Sequence, residues 1–233
     1  EIQTLDKIEK PNIIKINLLA LTFKTYTIQY ERVLNKTISA SIAFRFMPNA
    51  SIPFKNWIVR RIENDNSEAK ETIENMRLSN FAITPEIRFY LSKKGYGNGV
   101  YLAPAYRFAS YKIENLQNSF INDEDQENLM LLSGKMTSNY GGITIGSQWS
   151  FGKHFSLDWW LFAPFVGVER TTLTGSTSLP LTEEEQNDFI DDLESINIPY
   201  TNISYCVHEN GATIKLHGLM AGLGAGIALG VRF

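Results

Sequence analysis

The chain has 233 residues, with 22 Lys and Arg against 25 Asp and Glu, and a formal net charge of −3. This balance argues against nucleic acid as a partner, because nucleic-acid-binding proteins carry a basic surface. The single cysteine, Cys206, excludes an intramolecular disulfide and a cysteine-based zinc site. No run of roughly 18 apolar residues occurs, which excludes a helical membrane span.

A polar lead-in over residues 1–11 precedes segments in which apolar and polar side chains alternate with a period of two, the pattern of β-strands. The clearest is 37–46, where every second residue from Ile38 to Phe46 is apolar. A long polar segment, 47–79, is predicted to be a loop with a helix over 67–78. The first three predicted strands are 12–22, 25–33 and 37–46.

The alternation resumes after this loop and yields five more strands, separated by predicted loops at 112–135 and 171–213. In the second of these loops, Thr182 and Glu185 have the spacing of a capping box, which predicts the start of a helix. The last strand has apolar residues at odd positions and mostly glycine at even ones. These five strands are 80–92, 99–111, 137–151, 154–169 and 216–233.

The strand predicted over 154–169 is apolar on both faces, with Leu157, Trp159, Leu161 and Phe165 expected on the outside. The last strand, expected beside it, carries Gly222, Gly224 and Gly226 on one face. Large side chains can pack where a neighbouring strand has none. We therefore expect Trp160 and Phe162 to point inward and to fill this space.

Alternation alone does not decide which face is inside, so a lipocalin-like soluble barrel is an alternative. Short connections at 35–36, 93–98 and 152–153 alternate with the long ones, and ions of both signs occupy the polar faces. Ions are costly in a soluble core, and both features are typical of outer-membrane barrels. They predict an all-β single domain over residues 1–233: an eight-stranded antiparallel up-and-down transmembrane β-barrel with short periplasmic turns and long, partly helical extracellular loops.

Such a barrel would lie in the cell outer membrane, against the lipid bilayer and lipopolysaccharide, and its precursor would carry a cleaved signal peptide. An eight-stranded barrel is just wide enough for side chains to fill it. The inward ions therefore predict a charge-paired plug, with Glu86 between Arg45 and Arg107; a narrow channel for small solutes or ions is the alternative. The predicted lumen ions are Lys15, Glu31, Arg45, Glu86, Arg88, Arg107, Asp158 and Arg232.

A lipid-modifying outer-membrane enzyme is a third hypothesis, because His154 and Ser156 have the H-x-S spacing of lipid A deacylase barrels. The pair is expected at the periplasmic rim, whereas lipid A lies in the other leaflet. We therefore predict no enzyme, no catalytic residue, no cofactor and no metal. Acidic runs at 123–125 and 183–194 are interpreted as solvated loop surface.

The long loops carry apolar residues, and long loops on a rigid scaffold usually bind something or pack into a cap. We predict that they dock a protein partner or a surface polymer, with self-packing as the alternative. The chain would then act as a structural or interaction protein, or as an accessory subunit of a larger outer-membrane complex. The loop candidates are Trp57, Ile58, Val59, Phe189, Ile190 and Leu193.

The stretches INLLALTFKTYTIQYERVLNKTISASIAFRFMP and NFAITPEIRFYLSKKGYGNGVYLAPAYRFASY, with the terminal GVRF, resemble small outer-membrane barrels of Bacteroidota. Members of that group are often of unknown function, and their architecture is similar to that of OmpA and OmpW. The resemblance implies fold and location and assigns no catalytic residue. Phe233, with Val231 two residues before it, resembles the C-terminal signal that the barrel-assembly machinery binds.

Overall fold

The computed structural model describes residues 10–62, 67–121 and 127–233. These ranges contain nine strands and four short helices. The strands are β1 Asn12–Asn17, β2 Tyr26–Val33, β3 Ile38–Ser51, β4 Arg77–Tyr90, β5 Gly99–Ile121, β6 Glu127–Phe151, β7 Phe155–Thr177, β8 Thr201–His208 and β9 Gly211–Arg232. The helices are α1 Leu18–Thr22, α2 Lys55–Val59, α3 Ser67–Asn75 and α4 Glu183–Ser195. Within these ranges, none of the helices has the length and apolar character that crossing a bilayer requires.

The sheet closes on itself into a ring. Strands β1 to β7 pair in chain order, β7 pairs with β9, and β9 pairs with β1 in a register that sets Ile14 opposite Val231. All these pairings are antiparallel, so the predicted all-β, up-and-down antiparallel architecture is confirmed. The ninth strand, β8, lies outside the ring and pairs only with the first part of β9.

The two faces of the ring have opposite chemistry. Side chains at alternate positions of β4 show this: Ile87 is 49% exposed on the outside, whereas its neighbour Arg88 is fully buried inside. On β9, Leu223 is 70% exposed, and every odd position from Leu219 to Val231 is exposed, as predicted. Apolar side chains therefore cover the outside of the ring, and ionic ones lie within it.

The short connections and the chain end meet at one end of the ring, which we call the turn end. There the Asn12 amide donates to the Phe233 carbonyl at 3.1 Å. The connection between β4 and β5 folds across this end, because Gly95 and Gly97 adopt φ values of +60° and +75° and lie buried. The turn therefore covers one mouth of the ring.

The first predicted strand is too long. β1 ends at Asn17, and residues 18–22 form α1 instead. The Asn17 side chain accepts a hydrogen bond from the Ala20 amide at 3.1 Å, which is the capping contact that starts a helix. Helix α1 lies against β9, beyond the point where β1 stops.

Strands extend into all three segments predicted as loops. β5 and β6 extend into 112–135 as far as the described residues reach, and β7, β8 and β9 take up parts of 171–213. The helix in 47–79 ends at Asn75 rather than at residue 78, since β4 begins at Arg77. Residues 1–9 of the lead-in and the acidic run 123–125 lie outside the described residues.

These longer strands form an extension beyond the ring, opposite the turn end, that has an apolar core of its own. Helix α4 begins at the predicted capping box, in which the Thr182 amide donates to the Glu185 carboxylate at 2.7 Å, and it packs on this core through Leu193. The extension is therefore a folded cap rather than free loops. Its buried residues are Met130, Leu132, Leu181, Leu193 and Ile214.

A bulge in β7 changes which side chains enter the ring. Ile145 of β6 pairs with Phe162, but the next residue, Gly146, pairs with Trp160, so Leu161 is an extra residue. Because one extra residue reverses the alternation, Phe162 points outward and is 48% exposed. The prediction is right for Trp160, which packs against Gly226, and wrong for Phe162. Phe165, predicted outside, instead packs against Gly222.

Candidate functional site

The centre of the ring holds a cluster of ions, which we call the lumen ion cluster: Lys15, Glu31, Glu86, Arg88 and Asp158. Lys15 from β1 donates to Glu31, to the Gln148 amide oxygen, and to Asp158 at 2.6 Å. The side chains of Lys15, Glu31 and Asp158 have no exposure to solvent. Side chains from opposite walls of the ring thus meet at its axis.

Arg88 from β4 links the three carboxylates of the cluster. Its guanidinium lies 2.5 Å from Glu86, 2.5 Å from Asp158 and 3.3 Å from Glu31. The same guanidinium lies over the Tyr101 ring at 4.4 Å from the centroid. A single cation therefore bridges β2, β4 and β7 and contacts an aromatic side chain of β5.

Tyrosine and serine hydroxyls satisfy the remaining carboxylate oxygens of Glu31 and Asp158. Tyr90 donates to Glu31 at 2.7 Å, Tyr101 donates to Asp158 at 2.8 Å, and Ser39 donates to Glu31 at 2.6 Å. Buried charges are tolerated when they are paired and hydrogen-bonded. Each carboxylate of the cluster meets both conditions, and the cluster joins side chains of β1, β2, β4 and β7 across the ring.

The position predicted for Glu86 is wrong. The register places Ser41, not Arg45, opposite Glu86, and Glu86 accepts from Arg88, from Ser41 and from Gln29. Among the described residues, neither Arg45 nor Arg107 forms an ion pair. The two guanidiniums lie farther from the turn end than the cluster.

Arg232 also lies apart from the cluster. It donates to the Ser150 hydroxyl at 2.5 Å and to the Tyr96 carbonyl at 2.6 Å. Both contacts are with residues at the turn end, and Gln148 ties the same turn to the cluster by donating to the Gly97 carbonyl at 2.8 Å. The predicted lumen ions thus divide into the cluster, Arg232 on its turn-end side, and Arg45 and Arg107 on the side of the extension.

Above the cluster the ring contains a cavity of about 450 Å³, which we call the ring cavity. Its floor is formed by Gln29, Glu86 and Arg88. Arg45 and Arg107 line one part of the wall, and Tyr140 lies beside them because it pairs with Arg107 across β5 and β6. Trp160 and Phe165 of β7 line another part of the wall.

The two wall arginines have few partners. Arg107 donates through Nε to the Thr84 hydroxyl at 2.9 Å, while the buried Nε of Arg45 has no hydrogen-bond partner. Small residues lie between the two arginines. Arg45 pairs with Ala82 of β4, and Ala82 pairs with Ala109 of β5, which is two residues from Arg107. This part of the cavity therefore combines two positive charges with unused donors.

The predicted loop residues divide between packed and exposed positions. Leu193 is buried and Phe189 packs beside it in the core of the extension, so self-packing holds for this pair. Trp57 is 58% exposed, with Arg61 stacked on it at 4.4 Å, and Ile58, Val59 and Ile190 are partly buried. Tyr200, in the segment that follows α4, is more exposed still, at 83%. The alternation pattern could not predict this exposure, because Tyr200 lies outside the strands.

Sequence reasoning also missed the uncharged residues that bond to the lumen ion cluster. Gln148, Tyr90 and Tyr101 are fully or almost fully buried and bond directly to its ions. Their positions on the inward faces of β4, β5 and β6 were readable from alternation. Their role was not, because it depends on which inward side chains share a height in the ring.

The structure does not bring His154 and Ser156 together as a base and a nucleophile. His154 is exposed in a turn, whereas the Ser156 hydroxyl is buried and has no hydrogen-bond partner. Among the residues that the structure describes, no three His, Cys, Asp or Glu side chains come together as metal ligands would. At the chain end, Val231 and Phe233 point outward, about half exposed.

A family model described as a protein of unknown function (DUF3575) matches residues 3–200. No curated protein and no solved structure matches the chain. The family description names neither a taxon nor an architecture. The resemblance to OmpA-like and OmpW-like barrels of Bacteroidota therefore stays a prediction.

Proposed function

The chain belongs to this family of unknown function, DUF3575, and from the geometry we propose that it is an eight-stranded outer-membrane β-barrel with a structural or interaction role. The main support is the contrast between the two faces of the ring: Ile87 and Leu223 are exposed on the outside, whereas Lys15 and Asp158 are fully buried inside. In water this arrangement would expose a large apolar surface and bury ions at a cost. In a bilayer the same outward face contacts hydrocarbon.

Aromatic side chains on the outward face support this proposal. Trp149 and Trp159 lie together near the turn end, with ring centroids 6.1 Å apart, and both are exposed. Transmembrane barrels carry such girdles at the membrane interfaces. In this orientation the turn end is periplasmic and the extension extracellular, and the outward Phe233 is available to the barrel-assembly machinery.

The lumen ion cluster supports a plugged barrel rather than a channel. Its side chains reach across the ring from β1, β2, β4 and β7, and the β4–β5 turn covers the mouth beneath it. A channel for solutes or ions needs a continuous polar path. The proposed role is therefore binding or scaffolding, as an accessory subunit of a larger outer-membrane complex, through the extracellular extension.

Bilayer insertion predicts that brominated lipids quench the outward tryptophans. In vesicles of brominated phosphatidylcholine, we expect the emission of the refolded protein to fall by about half relative to unbrominated vesicles, because two of its four tryptophans face outward from the ring. The double variant Trp149→Phe/Trp159→Phe should lose most of this quenching. Trp160→Phe, which removes an inward indole, is the matched control and should keep it. Equal emission in both lipids would contradict insertion.

If a partner protein docks at the extension, we expect a specific crosslink near Tyr200. Ile196, Ile198 and Tyr200 form an exposed apolar segment after α4, and exposed aromatic residues often anchor protein interfaces. A photo-crosslinking residue at Ile198 should give one discrete adduct in native outer membranes, and Tyr200→Ser should reduce its yield at least fivefold. The control position is Leu91, exposed near the turn end. The same adduct from both positions would contradict docking at the extension.

A further inference from the structure

The ring cavity has the properties of a ligand site that the plugged-barrel role does not use. Its volume of about 450 Å³ is within the range of small-molecule sites, and eight-stranded barrels can hold one small ligand. The lumen ion cluster closes it on the turn-end side. A ligand would therefore enter from the side of the extension.

The cationic wall of this cavity lacks a counter-charge of its own. Arg45 and Arg107 line it without an ion pair among the described residues, and the one carboxylate on the floor, Glu86, is held by Arg88 at 2.5 Å. Two guanidiniums that line one cavity repel each other unless an anion lies between them. The buried Nε of Arg45, without a hydrogen-bond partner, adds an unsatisfied donor.

Another part of the wall is apolar and leaves room for more than a bare ion. Trp160 and Phe165 present aromatic surface there. Gly224 also lines this cavity, and a Cβ there would meet no atom closer than the Ala163 Cβ at 3.5 Å. The absence of a side chain on Gly224 therefore leaves space beside the aromatic rings.

We propose that the ring cavity binds a small organic carboxylate, with its carboxyl group held by Arg45 and Arg107 and its apolar part against Trp160 and Phe165. A guanidinium is planar and can hold a carboxylate through two parallel hydrogen bonds. The Thr84 hydroxyl keeps Arg107 oriented through Nε, which leaves the terminal nitrogens of that side chain for the ligand. The site lies inside the ring, so it does not depend on the membrane or on a protein partner.

The test uses the full chain, refolded in detergent, with 4-fluorobenzoate as the probe and fluorine NMR as the readout. We expect saturable binding of 4-fluorobenzoate and at least tenfold weaker binding of 4-fluorobenzamide, which has the same shape without the charge. Equal binding of the amide, or competition by inorganic phosphate as strong as by benzoate, would overturn the proposal.

Variants then assign the binding to the two arginines. Arg45→Gln/Arg107→Gln should weaken 4-fluorobenzoate binding at least tenfold. Arg170→Gln, which removes an exposed arginine of β7, is the matched control and should leave it unchanged. Heat-dependent mobility on gels verifies that each variant folds, and the comparison of acid and amide on the unaltered protein tests the proposal without any variant. Unchanged binding by the folded double variant, or no binding of 4-fluorobenzoate by the unaltered protein, would refute it.

Discussion

Replacement of Asp158 by Asn should lower the free energy of unfolding by about 3–5 kcal/mol, the usual cost of removing one partner from a buried ion pair. Asp158 accepts from Lys15 at 2.6 Å, from Arg88 at 2.5 Å and from Tyr101 at 2.8 Å, and its side chain is fully buried. Asparagine has nearly the same shape but no charge. The substitution leaves two buried cations short of a carboxylate, and few side chains can move to replace it.

Urea unfolding of the protein refolded in lipid vesicles measures this change. The matched control is Asp188→Asn, which removes the same charge from an exposed position of α4, and its effect should stay within about 0.5 kcal/mol. Equal losses for the two variants would mean that the cluster does not hold the ring together.

Planar-bilayer recordings of these proteins test the closure of the lumen. The unaltered protein should carry no steady single-channel current, because in the proposed plug the cluster spans the ring and the β4–β5 turn lies beneath it. Asp158→Asn should give intermittent current as the cluster loosens. A reproducible open conductance of the unaltered protein would favour the channel hypothesis over the plug.

Replacement of Gly226 by Ala should cost about 1–3 kcal/mol, the usual penalty for overpacking a filled interior. The indole of Trp160 occupies the space above Gly226, and a Cβ there would overlap its six-membered ring. Trp160 shares the inward face of β7 with Ser156 and Asp158 and pairs with Gly226, so the indole cannot withdraw without a change of register.

A double-mutant cycle identifies the cause of this loss. Gly141→Ala is the matched control in β6, since a Cβ there meets no atom within 4 Å, and it should be neutral or slightly stabilising because alanine restricts the unfolded chain. Trp160→Leu/Gly226→Ala should cost less than the sum of its two single variants. Additive losses would mean that Gly226 is needed for another reason.

Except beyond the bulge of β7, alternation along the strands predicted which side chains face into and out of the ring. On β3, Ser39 and Arg45 point inward while Phe44 and Phe46 point outward, as expected, and β9 follows the same rule. This works because neighbouring side chains of a strand always project to opposite faces. The inward position of every predicted lumen ion follows from that local geometry.

Partners across the ring could not be predicted in the same way. Counting residues from the short turns placed Glu86 beside Arg45, but the register of β3 and β4 sets it opposite Ser41. Strands of a closed ring are tilted and staggered, so equal distance from a turn does not mean equal height. The same limit hid the roles of Gln148, Tyr90 and Tyr101, and hid the ring cavity.

The alternation of side chains was enough to predict the strand pattern, the ionic interior and the apolar exterior, because each depends on side chains one or two residues apart. Only the folded ring reveals that Arg88 links the three carboxylates, that Leu161 forms a bulge which turns Phe162 outward, and that the predicted loops fold into an extension. Those features arise from pairing between distant segments, whose register and closure no local pattern encodes.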